Sequence, residues 1–154
     1  MERPVYPAFF VMWELEIGYI SLFLSAFLAA TILPVASEAF LIGMLRFHYD
    51  PMICLLVAST GNTLGAILNY YIGFLGNPSW LKKIRVSVVK IEQWKGRVKK
   101  YGIWLALFSW LPIVGDLIGV ALGFFRAPKL VTFIFFAIGK LVRYSIVILL
   151  YFLL

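Results

Sequence analysis

Leu33-Pro34-Val35-Ala36-Ser37-Glu38 and Leu111-Pro112-Ile113-Val114-Gly115-Asp116 make one statement twice, 78 residues apart. Each sets a proline four residues ahead of a carboxylate inside hydrophobic sequence. The same offset carries Gly61-Asn62 onto Gly139-Lys140, so a single gapless shift aligns two separate polar interruptions. The chain reads as internally duplicated, and matched breaks in the two halves of an apolar chain point to a binding site of the kind secondary transporters build.

Composition fixes the medium. With 63% apolar residues and 18% aromatics and a mean hydropathy of +0.97, the chain lies far outside soluble averages and reads as an all-α integral membrane protein. Apolar runs cover residues 17–33, 53–76, 102–125 and 130–154, too continuous for the one-sided burial of a soluble helical repeat. The first run follows Glu14 and Glu16 without a basic leader or small-residue cleavage pattern, so no removable signal peptide is expected. Cys54 is the only cysteine; an internal disulfide and a cysteine-based metal site are excluded, and no cofactor is expected.

The net charge of +7 is concentrated. Lys82, Lys83, Arg85, Lys90, Lys95, Arg97, Lys99 and Lys100 face only Glu92 in a basic connector, residues 77–101, between the halves. The positive-inside rule puts this loop in the cytoplasm. Trp80 and Trp94 lie within it, but between membrane spans such a run serves topology and contact with anionic headgroups, so no nucleic-acid partner is expected.

A helical crossing needs about 20 apolar residues, which 53–76 and 130–154 supply. Pro112, Gly115, Asp116, Gly119 and Gly123 crowd the middle of 102–125, and proline removes a backbone donor and clashes with the preceding turn. A split there leaves arms of roughly 15 and 20 Å, each nearer half a bilayer than a whole one. The expectation is an inverted repeat: an interfacial segment 1–16, a first repeat 17–76 (re-entrant hairpin 17–47 broken at Pro34, span 53–76), the connector, and a second repeat 102–154 (hairpin 102–125 broken at Pro112 and Gly115, span 130–154). Hairpins also keep the loop from Arg126 to Lys129 on the same face as the connector, where four plain spans separate them. The two tips then meet near the midplane, where broken backbone is tolerated only against protein or a wet cavity.

Glu38 and Asp116 are the acids at those tips. A carboxylate held away from water is favoured in its protonated form, which makes each a candidate proton carrier; the alternative is a cap on free backbone donors at a helix start. Lys140 and Arg143, three residues apart on one side of the last span, lie too deep for easy snorkelling and call for Glu38 and Asp116 as partners. They form either a structural ion-pair network or a phosphate site, since guanidinium offers a matching fork and ammonium a point charge. Gly61, Gly65, Asn69 and Gly73 recur every four residues, a small face for close helix packing; Asn62 and Asn69 are alternatively contacts for a lipid headgroup. His48, between Arg46 and Asp50, reads as a solvated turn residue with too few ligands around it for a metal.

Three stretches carry a resemblance: Leu33 to Glu38, Gly61-Asn62-Thr63-Leu64-Gly65 with Tyr70, Gly73 and Gly76, and Tyr101-Gly102 through Trp110-Leu111-Pro112 with Gly123. Together they resemble the DedA family, also called VTT-domain or SNARE-associated Golgi proteins, and most closely its YqaA-like branch, over nearly all of the chain from about residue 20. The resemblance implies opposed re-entrant hairpins, Glu38 as the functional acid, and movement of lipids across a prokaryotic cytoplasmic membrane, with polyprenyl phosphates and phospholipids as cargo. The wider family places arginines where this chain has Ser109 and Gly115; Lys140 and Arg143 are read as restoring that charge from another helix.

The expected function is thus a translocase for a phosphate-bearing lipid, coupled to protons through Glu38 and Asp116, with Lys140 and Arg143 holding the phosphate and a homodimer shielding the polar path. A passive scramblase or structural membrane factor is the alternative. A lipid phosphate hydrolase ranks below both, because no serine-histidine pair, metal cluster or glycine-rich phosphate loop stands in the sequence.

Overall fold

The computed structural model describes residues 8–30, 36–76, 96, 98, 101–102, 104–106, 108–111 and 114–154. Pro34 and Pro112, the two expected breaks, and most of the basic connector lie outside them. The described elements are all helical: α1 (Ala8–Ala29), α2 (Ala36–Arg46), α3 (Pro51–Leu75), a 3-10 turn (Phe108–Trp110), α4 (Val114–Phe124) and α5 (Lys129–Leu153).

The duplication extends to the elements themselves. Both short helices have 11 residues and both long ones 25, and the 78-residue shift superposes the bounds of α2 on α4 and of α3 on α5. It also superposes the turns between them. His48 N–H donates to Leu45 O and Tyr49 N–H to Met44 O, while Arg126 N–H donates to Gly123 O and Ala127 N–H to Leu122 O. His48 (φ 62°) and Arg126 (φ 56°) hold the left-handed position that closes such a C-terminal cap. One local device, used twice, turns each short helix into a long one.

The two turns start their long helices differently. Pro51 opens α3, and the Asp50 carboxylate before it accepts from Met52 and Ile53 N–H at 2.8 and 3.0 Å, satisfying donors that every helix start leaves free. At the matching place before α5 stands Pro128, with no side-chain cap.

Helix α3 is the spine, touching α1, α2, α4 and α5. Its contacts rise in number together with those of α1: Gly61 meets Phe23, Gly65 meets Phe27 and Ala30, and the two helices run parallel. Helix α4 is also parallel to α3, with Gly119 beside Ala66 and Gly123 against Tyr70. Helix α5 runs antiparallel, its Phe133 ring packing edge-on against Tyr70 near the end of α3 and its Tyr144 joining Cys54 and Ala58 near the start. Helix α2 returns beside α1, so that Tyr49 lies on Gly18 and edge-on to Tyr19.

Gly61, Gly65 and Gly73 do not form the single narrow face that their spacing suggests. A four-residue step advances about 40° beyond a full turn, so the stripe drifts by about 120° from 61 to 73: Gly61 and Gly65 face α1, whereas Gly73 faces Val120 and Phe124 of α4. Helix α1 also begins at Ala8, nine residues ahead of the expected start of the first repeat; Glu14 and Glu16 do not interrupt a helix, because both are good helix formers. Val98 is buried beside Leu122 and Ala106, so the second packing unit reaches back into the expected connector.

Two long helices, Pro51–Leu75 and Lys129–Leu153, are long and apolar enough to cross a membrane. Each is about 37 Å long, against about 16 Å for α2 and α4. The outer surface is rich in leucine, isoleucine and phenylalanine, among them Leu24, Leu28, Leu56, Leu68, Leu117, Ile134 and Leu149.

Candidate functional site

Glu38 and Asp116 both fall in the first turn of a short helix, each as its third residue. A negative charge there meets the positive end of the helix dipole and the free N–H groups. Both acids also meet a cation from the middle of α5. Lys140 Nζ lies 3.3 Å from Asp116 Oδ1, and Arg143 Nη2 bonds Glu38 Oε1. Lys140 is fully buried and Arg143 is 7% exposed, while their acids keep 18% and 22% of their side-chain surface. The four groups form one electrostatic unit, since Glu38 and Arg143 act on both Asp116 and Lys140. The structure therefore brings together all four ionisable residues singled out in the sequence.

Two cations in the interior of an apolar bundle would be prohibitive alone. Paired, they make a formally neutral set with an uneven connectivity. Asp116–Lys140 ties α4 to the long helix of its own half, whereas Glu38–Arg143 ties the short helix of the first half to the long helix of the second.

A hydroxyl chain adjoins the second pair. The buried Tyr144 hydroxyl donates to Ser37 Oγ at 3.0 Å, and Ser37 donates to Glu38 Oε2 at 3.2 Å. Tyr144 also faces Asn62 of α3. Sequence reasoning missed Ser37 and Tyr144 as site residues; their only signals were adjacency to Glu38 and Arg143. Ser109, in the 3-10 turn ahead of α4, is fully buried, and its hydroxyl finds no partner among the described residues.

Asn62 and Asn69 have a visible structural use. Asn62 Nδ2 donates to Ala26 O at 2.9 Å and Asn69 Nδ2 to Ala30 O at 2.7 Å. Ala26 O also takes the Ala30 N–H at 3.4 Å; near a helix end backbone carbonyls run short of intrahelical donors, and with lipid rather than water around a helix protein helps to meet them, as α3 does here. Gly115, expected at the break, is the second residue of α4 and accepts no side chain, because a Cβ would overlap the Ser109 carbonyl. Its N–H donates to Leu111 O at 3.0 Å. His48 is exposed in its turn, as expected.

A lateral groove of about 230 Å³ opens between α3 and α5, lined by Leu56, Ser59, Thr60, Thr63, Leu64, Ala137 and Leu141. Leu141 is the neighbour of Lys140, so the groove brings the outer apolar surface close to the charged cluster. Ser59 is buried in its wall, and its hydroxyl has no partner among the described residues.

Long apolar helices around paired interior charges define a helical membrane protein with a polar centre. The chain belongs to the VTT-domain family, whose model matches residues 33–153, and so to the DedA proteins that the three sequence stretches resemble. It is 38% identical to YqaA, an inner membrane protein of Escherichia coli, over 125 residues that cover 80% of this chain and 84% of that protein. It is 33% identical to an uncharacterized protein of Haemophilus influenzae over 131 residues, 80% of each chain. No solved structure matches the chain.

Proposed function

We propose that this protein is a lipid translocase of a prokaryotic cytoplasmic membrane, taking a phosphate-bearing headgroup at the four-charge cluster and exchanging protons through Glu38 and Asp116. It acts as a carrier, not as an enzyme. Its architecture in this reading is an inverted repeat of re-entrant hairpin plus span, with the basic connector on the cytoplasmic side. Several observations support that topology. Helices α3 and α5 are antiparallel; α2 and α4 are half-length and match at the 78-residue shift; and Gly76, just past α3, lies against Phe124 at the end of α4, so α3 and α4 finish at one end of the bundle. The inner-membrane assignment of the Escherichia coli relative supports the location.

The observation that carries the function is the placement of both ion pairs at the starts of two short helices, beside the middle of a 25-residue span. Half-helix N-termini directed at a bilayer midplane are the usual cradle for anionic substrate groups. A phosphate arriving there competes with the carboxylates for Lys140 and Arg143, and protonation of Glu38 and Asp116 frees both cations for it. Breaking Glu38–Arg143 releases α2 from α5 while α3 stays packed on α4 and α5, a local opening of the kind alternating access needs, whereas Asp116–Lys140 stays within its half. The groove between α3 and α5 lets acyl chains remain in the bilayer as the headgroup passes.

The test is flipping of a fluorescent phospholipid in sealed proteoliposomes across a range of pH and imposed proton gradients. Glu38→Gln with Asp116→Asn should abolish the pH dependence. Unaltered flipping in that variant removes the proton role and leaves a passive scramblase, and phosphate released from the lipid by purified protein would make it a hydrolase.

A further inference from the structure

The two Schellman-capped turns differ in charge. In the first, Asp50 supplies the anion at the start of α3. In the second, Pro128 replaces that acid, and two cations flank it. Arg126 Cζ sits 4.8 Å from the centre of the Phe74 ring, and Lys129 Nζ sits 4.6 Å from the same ring and 5.3 Å from that of Tyr71. Both like charges contact the same ring, whose attraction for each offsets part of their repulsion. The left-handed backbone at Arg126 and the bond from Tyr70 Oη to Ala127 O, 2.6 Å, fix the turn that presents them. Both side chains are exposed at the end of the two long helices, and neither has a carboxylate partner among the described residues.

We propose that Arg126 and Lys129 form a docking site for the phosphate of a lipid headgroup at the membrane edge, where the first half uses its own Asp50. Two exposed cations on one ring, without a carboxylate partner among the described residues, suit a phosphodiester or phosphomonoester group. The lipid, not free phosphate, is the occupant: exposed Leu75 and Leu130 flank the site and offer an apolar surface for acyl chains. Lys129 and Lys140 lie 11 residues apart, close to the same face of α5 and separated by about 16 Å. The edge site therefore stands at one end of the helix face whose middle carries the proposed deep site; it is distinct from that site and holds whether or not lipid is transported.

The experiment measures the lipid retained by full-length protein in nanodiscs of mixed phosphatidylglycerol and a neutral glycolipid, by native mass spectrometry. Wild type should retain phosphatidylglycerol preferentially. Arg126→Asn with Lys129→Gln should lower that preference by about thirtyfold, from the roughly fivefold that each interfacial cation contributes. Phe74→Leu, which keeps both charges but removes the ring, should lower it by a smaller factor, and Lys82→Gln with Lys83→Gln, in the connector expected to meet anionic headgroups only diffusely, should also lower it by less than the Arg126/Lys129 variant. The factor lost with Arg126→Asn and Lys129→Gln should be the same in a Glu38→Gln/Asp116→Asn background, whatever that background does to the deep site, which separates the two sites. Equal retention in the Arg126/Lys129 variant, or an equal loss in the Lys82/Lys83 variant, overturns the assignment. Displacement of the lipid by millimolar inorganic phosphate would show a free-anion site and also overturn it.

Discussion

Removing the Glu38 carboxylate should destabilise the protein more than removing both members of its ion pair. Glu38→Gln preserves shape but leaves the Arg143 guanidinium, only 7% exposed, without its counter-charge. One-sided loss of a fully buried pair costs about 3–5 kcal/mol. Glu38 keeps 22% of its side-chain surface, and Asp116 still acts on Arg143, so the expected cost falls to about 2–3 kcal/mol. Glu38→Gln/Arg143→Gln deletes both charges and should recover to within about 1 kcal/mol of wild type, a coupling well above the error of a mutant cycle. Equilibrium unfolding in mixed micelles with increasing dodecyl sulfate, followed by helical circular dichroism, reads all four corners. Additive losses, with the double variant as unstable as the sum of the singles, would refute the paired arrangement.

Gly123→Ala places a Cβ against the Tyr70 backbone carbonyl and Gly73→Ala one against that of Val120; each should cost about 1–3 kcal/mol by overpacking in the same unfolding assay, whereas Gly43→Ala, with nothing within 4 Å, should be neutral or mildly stabilising. Asn62→Leu and Asn69→Leu remove side-chain donors from the carbonyls of Ala26 and Ala30 and should each lose about 0.5–3 kcal/mol, Asn62→Leu the less because Ala26 O keeps the Ala30 N–H, readable as faster amide exchange at the end of α1. Asp50→Ala removes a cap with two hydrogen bonds and should cost about 0.5–2 kcal/mol, again by unfolding, while the Pro128 turn, which has no such cap, should tolerate Pro128→Ala better.

Local duplication was legible because helix lengths and turn chemistry follow from nearby residues, and nearby residues were copied. The shift that aligns Pro34 with Pro112 also aligns the helix bounds and the left-handed turns at His48 and Arg126. The four interior charges were legible for another reason: an apolar chain exposes any ionisable residue as an anomaly that needs a partner. Which acid meets which cation was not, since it depends on how α2, α4 and α5 approach. The role of Tyr144 was hidden among eight tyrosines in apolar sequence, and the stripe of small residues misled because a four-residue step drifts around a helix. The cations on Phe74 were visible only as loop charges until the turn brought them over one ring.

The central claim is that Lys140 and Arg143 select a phosphate in mid-membrane, and the most direct measurement is a ratio: the rate of translocation of a phosphate-bearing lipid over that of a neutral glycolipid of the same chain length, in sealed proteoliposomes. Wild type should move the phosphate-bearing lipid in strong preference, and Lys140→Gln with Arg143→Gln should bring the ratio to that of protein-free vesicles. Equal movement of both lipids by wild type, or an unchanged ratio without the two cations, would contradict the account.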